Sequence, residues 1–317
     1  MTDSEAAGGT SDALARLDEI TRRLRRECPW DREQDERSIV PHTVEEAYEL
    51  ADAAHAGDDA KLLDELGDVL FQVYFLSLLM EERGAGDLAQ VAEHCRAKLI
   101  RRHPHVFGDA AAESAADVLR NWDAIKREDE RSIVPHTVEE AYELADAAHS
   151  GDDAKLLDEL GDVLFQVYFL SLLLEERGCG DLAAVAAASR EKLVRRHPHI
   201  FRDDDLAGLP TNATTPSEVR ENWDAIKLRE GRSAEVADAL PALTYARKRL
   251  KKGAARPPGL DDAMERLARA RKDESPGSHH GSQELYDAVG ELLLAAVELA
   301  VEVQVDPEVA LRRAVSA

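Results

Sequence analysis

Cysteine is scarce in this chain, and what little there is rules out whole classes of protein. Cys28, Cys95 and Cys179 are the three present, and no two stand in a CxxC spacing. That pattern reads as free thiols in a reducing compartment, not as a zinc site or a disulfide framework. Long hydrophobic runs are missing too. The longest candidate, VLFQVYFLSLLM (69–80), is interrupted by Gln72 and is too short to span a bilayer. The N-terminal MTDSEAAGGTSD is acidic and small, unlike a secretory signal. Positive charge is in deficit: 40 Lys+Arg face 64 Asp+Glu, a formal net charge of −24. This argues against non-specific nucleic-acid binding and against adhesion to anionic membrane. It leaves room for an anionic nucleotide held by a local cluster of bases and a metal. A cytoplasmic soluble protein is expected, with no nucleic-acid or membrane partner. Strand-type alternation is absent, and Pro and Gly fall mostly between helical patterns, so the expected fold class is all-α.

The organising stretch is VEEAYELADAAHAGDDAKLLDELGDVLFQ (44–72), which recurs at 138–166 with one change, Ala56 becoming Ser150. It reads as two helices joined by a polar turn at Gly57-Asp58-Asp59. The first is expected to begin at Thr43, with Glu46 completing a capping box. The second is expected over about 60–83, its apolar middle making it a core helix. Glu46 and Glu49 lie one turn apart on the first helix. Glu65, Asp68 and Gln72 share a stripe of the second. An antiparallel hairpin would bring the two acid pairs together. Carboxylates flanking a core helix need a partner. Four carboxylates with no nearby Lys, His or Cys are expected to repel one another, and a hard divalent cation resolves the repulsion. Oxygen-only ligation suits Mg²⁺, with Mn²⁺ as the alternative, rather than Zn²⁺. A helix N-terminus that simply favours Glu45 and Glu46 through its dipole, and a solvated Glu49, are the plainer readings. The full pattern, EExxE followed by ExxD and occurring twice, is more specific than its parts.

Around the hairpin, residues 1–10 are expected to be disordered and a helix to run over 11–27, with Pro29 ending it. Residues 31–40 should form a polar connection. Beyond Gly84 and Gly86 a helix over 87–102 ends at His103-Pro104-His105. Lys98, Arg101 and Arg102 near its end either complement the helix dipole or contact phosphate. The two histidines are better read as a helix-ending turn than as metal ligands, because no third nitrogen or sulfur ligand lies near them in sequence. A helix over 115–127 carries Trp122 and Lys126 one turn apart, as a packing anchor or as a base-stacking and phosphate-contacting pair. The chain then starts again. Residues 129–178 match 35–84 at an offset of 94, differing only at Ala56/Ser150 and Met80/Leu174. The second copy lacks its own Cys-Pro-Trp segment; the end of the first copy stands in its place.

The segments Glu45-Glu46-x-x-Glu49 and Glu65-x-x-Asp68, together with CPWDREQ (28–34), KLIRRHPHVF (98–107) and NWDAIK (121–126), resemble the MazG-type nucleoside triphosphate pyrophosphohydrolases, an all-α superfamily. The resemblance covers about residues 11–230 and weakens beyond. It implies Mg-dependent cleavage of a (d)NTP between the α and β phosphates, giving (d)NMP and pyrophosphate. Metal ligands would be Glu46, Glu49, Glu65 and Asp68, and in the second copy Glu140, Glu143, Glu159 and Asp162. Glu45 and Glu139 become candidates for orienting the attacking water or a second metal. Lys98, Arg102, Lys192 and Arg196 would face phosphate, and Trp122, Lys126, Trp223 and Lys227 would lie near the nucleotide. Superfamily members are typically homo-oligomeric, so the two copies are expected to form the bundle as an intrachain pseudo-dimer, with pairing to a second chain as the competing arrangement. Expected domains are copy one (1–128), copy two (129–235) and a degenerate helical domain (236–317), in which Glu265, Arg266, Arg269, Ala288 and Glu291 replace the acidic motif. Two other readings remain open: a narrower dUTP or dCTP pyrophosphatase, and a non-catalytic acidic scaffold that binds metal or partner helices.

Overall fold

Asp35 opens the first hairpin helix. Its carboxylate accepts from the Ser38 N–H at 2.8 Å, and the Ser38 hydroxyl accepts from the Asp35 N–H at 2.9 Å. The helix therefore runs Glu36–Ala56, with Pro41 inside it, and begins well before the cap expected at Thr43. Ile39 and Val40 are buried, so this early turn has an apolar face to cover. Thr43 ends up in the core, with its hydroxyl 3.5 Å from Gln72 Oε1.

The computed structural model describes residues 3–108, 134–201, 213–230, 236, 240–273 and 283–316. Among the described residues there are 14 helices and no strand. In chain order they are α1 (Asp3–Glu27), α2 (Pro29–Glu33), α3 (Glu36–Ala56), α4 (Asp59–Glu82), α5 (Leu88–Arg102), α6 (Pro104–Phe107), α7 (Val134–Ser150), α8 (Asp153–Glu176), α9 (Leu182–Arg196), α10 (Pro216–Arg229), α11 (Ala242–Lys251), α12 (Leu260–Asp273), α13 (Gln283–Glu302) and α14 (Pro307–Ser316). The helix α1 extends through residues expected to be disordered. The polar connection holds the short α2, and the first His-Pro-His turn leads into the short α6. The expected helix over 115–127 lies outside the described residues. No described helix is long and apolar enough to cross a membrane.

Two compact units divide the chain, Met1–Arg232 and Ser233–Ala317. In the first, hairpins α3–α4 and α7–α8 pack on each other, α3 against α7 and α4 against α8. Their shared core holds Leu66, Leu70, Phe75, Leu76, Leu144, Leu160 and Leu174, all nearly inaccessible. The third helix of each repeat then crosses over. Helix α5 packs chiefly on α8, and α9 packs on α4. Glycines make the crossing possible. The turn glycines Gly86 and Gly180 have φ of 154° and 146°, and a side chain on either would run into a leucine of the other repeat, Leu157 or Leu63. Within the helices, a Cβ on Gly67 would stand 3.1 Å from Ser189 Cβ and 3.3 Å from the Val185 carbonyl. One on Gly161 would stand 3.3 Å from the Cys95 nitrogen. A glycine in mid-helix costs about 1 kcal/mol against alanine; here it lets two backbones approach. Gly67→Val is expected to destabilise by roughly 2–3 kcal/mol in a denaturant titration. Gly290→Ala, in the open at α13, should be neutral or slightly stabilising.

In the second unit, α12 and α13 form a hairpin of their own, lined by Ala263, Ala270, Ala288 and Ala295. Small side chains let the helices lie close. Arg266 pairs with Glu291 across it. Arg247 and Asp306, both largely buried, pair at 2.7 Å and tie α11 to the start of α14.

Candidate functional site

Helices α3 and α4 run antiparallel, and each carries its acids one turn apart on the facing side. Carboxylate oxygens of Glu46, Glu49 and Glu65 lie within 4.8 Å of one another, and Asp64, Glu65 and Asp68 form an overlapping group. On α7 and α8 the matching group is Glu140, Glu143 and Glu159. Asp162 is buried one turn beyond Glu159. Glu65 Oε2 is buried with no hydrogen-bond partner.

Burial and mutual repulsion oppose ionisation of these acids. Burial first, then Asp68 and Glu49, pushes Glu65 up to about 7. Glu46 rises well above the carboxylate range for the same cause, with Asp68, Glu49 and Glu65 adding to it. Burial pushes Glu140 and Glu159 up to about 8, with neighbouring acids reinforcing the shift. Burial also raises Asp162, in spite of a lysine in contact with it.

That lysine overturns one premise of the sequence reading. Along the chain the nearest lysines are Lys61 and Lys155, one turn before Glu65 and Glu159, and in space each hairpin also receives a buried lysine from the other repeat. Lys98 Nζ on α5 lies 2.9 Å from Asp158 and 2.8 Å from Asp162. Lys192 Nζ on α9 lies 2.9 Å from Asp68 and also pairs with Asp64. Both lysine side chains are buried. Each of them bridges two aspartates at the rim of the acidic group. Arg102 follows Lys98 by one turn, and its charge acts on Asp162.

The remaining expected residues scatter. Arg196 Nη2 binds Glu230 at 2.8 Å at the end of α10, and its guanidinium lies 5.8 Å from the Trp223 ring centre, so its contacts are away from the acids. Lys227 Nζ lies 4.9 Å from the Trp223 ring centre, and its charge acts on Glu46. Trp223 also faces Trp30 at 6.2 Å, and Trp30 faces His42 at 6.1 Å. Glu45 is buried with Oε2 3.9 Å from His42 Nδ1, outside the close-set group. Glu139 holds the matching position on α7, also outside it. Trp122 and Lys126 lie outside the described residues. Sequence reasoning passed over Asp64, Asp158 and Trp30. The two aspartates were signalled by their position one turn before Asp68 and Asp162 on the same stripe. Trp30 carried no signal beyond its place in the Cys-Pro-Trp segment.

An all-α unit that gathers oxygen ligands in two partly buried groups, each rimmed by a lysine, defines a class with the chemistry of a hard divalent-cation site. Residues 34–107 and 128–201 each match the MazG nucleotide pyrophosphohydrolase domain. The chain is 32% identical over 262 residues to the nucleoside triphosphate pyrophosphohydrolase of Escherichia coli (strain K12), covering 68% of this chain and 98% of that protein. It is 32% identical over 237 residues to the nucleoside triphosphate pyrophosphohydrolase/pyrophosphatase MazG of Thermotoga maritima, covering 63% and 89%. Similarity to the nucleoside triphosphate pyrophosphohydrolase of Mycobacterium tuberculosis is 32% over 157 residues, covering 49% of this chain and 44% of that one. The chain belongs to the MazG nucleotide pyrophosphohydrolase family and carries its domain twice.

Proposed function

We propose that this chain hydrolyses nucleoside triphosphates to the monophosphate and pyrophosphate at two sites, each assembled from both repeats. The observation that carries the reading is the pair of partly buried carboxylate groups, each rimmed by a lysine from the opposite repeat. The donor set fits a hard cation. It is all oxygen, its members repel one another, and Glu65 Oε2 has no partner. Glu46, Glu49, Glu65 and Asp68 would hold Mg²⁺ in one site, and Glu140, Glu143, Glu159 and Asp162 in the other, with Mn²⁺ as a substitute. Bound there, the ion supplies neutralisation of the triphosphate and acidification of water. Lys192 with Lys227, and Lys98 with Arg102, would bring positive charge to phosphate oxygens. Glu45 and Glu139 would orient the attacking water toward the α phosphorus. Trp223 offers a face for the base, and its Nε1–H is buried without an acceptor, which supports a ligand contact there. Arg196 is held by Glu230 and would position Trp223 rather than meet phosphate.

In this reading the first two repeats, residues 1–128 and 129–235, work as an intrachain pseudo-dimer. The hairpin in residues 236–317 is silent, because Arg266 pairs with Glu291 where the motif would set two acids face to face. The combined variant Glu49→Gln/Glu143→Gln is expected to lose pyrophosphate release by about 10²-fold or more while keeping its helical circular dichroism. Full turnover in that variant would leave only a metal-binding scaffold. Assay against all the common (d)NTPs separates a broad enzyme from a dUTP or dCTP specialist.

A further inference from the structure

Two turns from opposite ends of the first unit meet in its interior. One is the Cys-Pro-Trp turn between α1 and α2. The other is the His-Pro-His turn that ends α9. Along the chain these histidines have no sulfur or nitrogen ligand nearby; in space Cys28 and Asp31 stand beside them. His197 Nδ1 lies 2.7 Å from the Leu193 carbonyl, which can only accept. The proton is therefore on Nδ1 and the lone pair on Nε2. That lone pair faces Asp31 Oδ2 at 3.8 Å. Asp31 is 1% exposed, His197 is 3% exposed, and Asp31 Oδ2 has no hydrogen-bond partner. The two face each other where water is excluded, with the Cys28 thiol hydrogen-bonded to Asp31, and a proton or a metal cation between them would satisfy both.

Cys28 completes the group. It is wholly buried, and its sulfur lies within 4.8 Å of the ligand atoms of Asp31 and His197. His199 Nε2 approaches the same sulfur at 3.3 Å from outside that group, and a small movement would bring it in as a fourth ligand. Ligands around a tetrahedral zinc, at bonds of about 2.0–2.3 Å, stand roughly 3.3–3.8 Å apart. The nitrogen–sulfur separation of 3.3 Å is close to that size, and the nitrogen–oxygen separation of 3.8 Å is wider than the roughly 3.3 Å of such a pair, so these two ligands would draw together on binding. A sulfur and two imidazoles favour Zn²⁺ over the hard cations suited to the acidic hairpins.

We propose that Cys28, Asp31, His197 and His199 bind one structural Zn²⁺ that fastens the N-terminal segment to the second repeat. With four protein ligands the site leaves no open position for chemistry. It would fix the start of α2, and with it Trp30, against the end of α9, where His197 packs on Trp223 at 5.8 Å. One wall of the first acidic site is thereby held in place. The second repeat has no Cys-Pro-Trp segment, and no cysteine lies between Cys95 and Cys179. By the same exchange, His103 and His105 of the first repeat would need a Cys-Pro-Trp segment from the second, which has none, so one site per chain is expected.

The test uses the full chain, purified under a reductant, stripped with a chelator and titrated with Co²⁺. One equivalent should produce a thiolate-to-cobalt charge-transfer band and strong tetrahedral d–d absorption, both abolished by one equivalent of Zn²⁺. Oxygen-ligated Co²⁺ in the acidic hairpins gives no such charge-transfer band, so Glu49→Gln/Glu143→Gln should retain it. Cys28→Ser and His197→Gln should lose the band, and Cys95→Ser and Cys179→Ser should keep it. The half-buried His199 provides a milder variant: His199→Gln is expected to weaken Co²⁺ binding at least tenfold. Absence of the band in the unaltered chain, its survival in Cys28→Ser, or unchanged affinity in His199→Gln overturns the proposal. The first of these measurements needs no variant to fold.

Discussion

Lys98→Met combined with Glu49→Gln is expected to abolish pyrophosphate release, whereas Lys98→Met combined with Glu143→Gln should leave about half of it. Proximity along the chain argues the reverse, since Lys98 and Glu49 belong to the same repeat. The contacts decide otherwise: Lys98 reaches Asp158 and Asp162, so it serves the hairpin that carries Glu143. Disabling Lys98 and Glu143 damages one site twice and spares the other. Disabling Lys98 and Glu49 damages each site once. Loss of a preorganised charge from a dry site costs about 10²–10³ in rate, so the two pairings should differ by far more than assay error. The mirror experiment uses Lys192→Met with Glu143→Gln against Lys192→Met with Glu49→Gln. A result following linear order in either series would refute the exchange.

The thermal stability of the metal-free protein should fall as pH rises from about 5 to 9, and Mg²⁺ should reverse the fall. Glu65 is pushed up to about 7, and Glu140 and Glu159 to about 8, with burial the first cause in each. An unfolded glutamate titrates near 4.3. Folded groups with raised pKa hold protons that the unfolded chain has released, so their contribution is complete below the unfolded value. It disappears as pH passes through 7 to 8. Above that range the clustered charges work against the fold. The combined cost should lower Tm by at least about 5 °C across this interval. Added Mg²⁺ should raise Tm little at pH 5 and most at pH 9, with protons released on binding below about pH 8. Glu65→Gln/Glu159→Gln should flatten the pH profile. A metal-free Tm that is constant or rising over this interval would show the acids to be well solvated.

Local signals carried the helical architecture and not the crossing. Spacing of one turn between Glu46 and Glu49, and between Glu65 and Asp68, beside an apolar run, suffices to place these acids face to face once the chain turns at Gly57. Near-identity of residues 35–84 and 129–178 likewise announces two equivalent hairpins. No local feature says on which hairpin α5 or α9 will settle, because both offer the same surface. The glycines record that choice. Gly86 and Gly180 read as turn residues, and Gly67 and Gly161 as helix interruptions, until the close approach of the other repeat explains them. The error at Thr43 has a similar origin. Two caps, Asp35 and Thr43, compete for the same helix, and the buried Ile39 and Val40 favour the earlier one. The His-Pro-His turn shows the same limit from another side, for Cys28 and His199 touch across most of the first unit's sequence.

Reciprocal trading of α5 and α9 also ties the two halves together over generations. A substitution on α5 is felt at the pocket borne by the later half, and one on α9 at the pocket borne by the earlier half. Neither half can specialise alone without degrading its sibling.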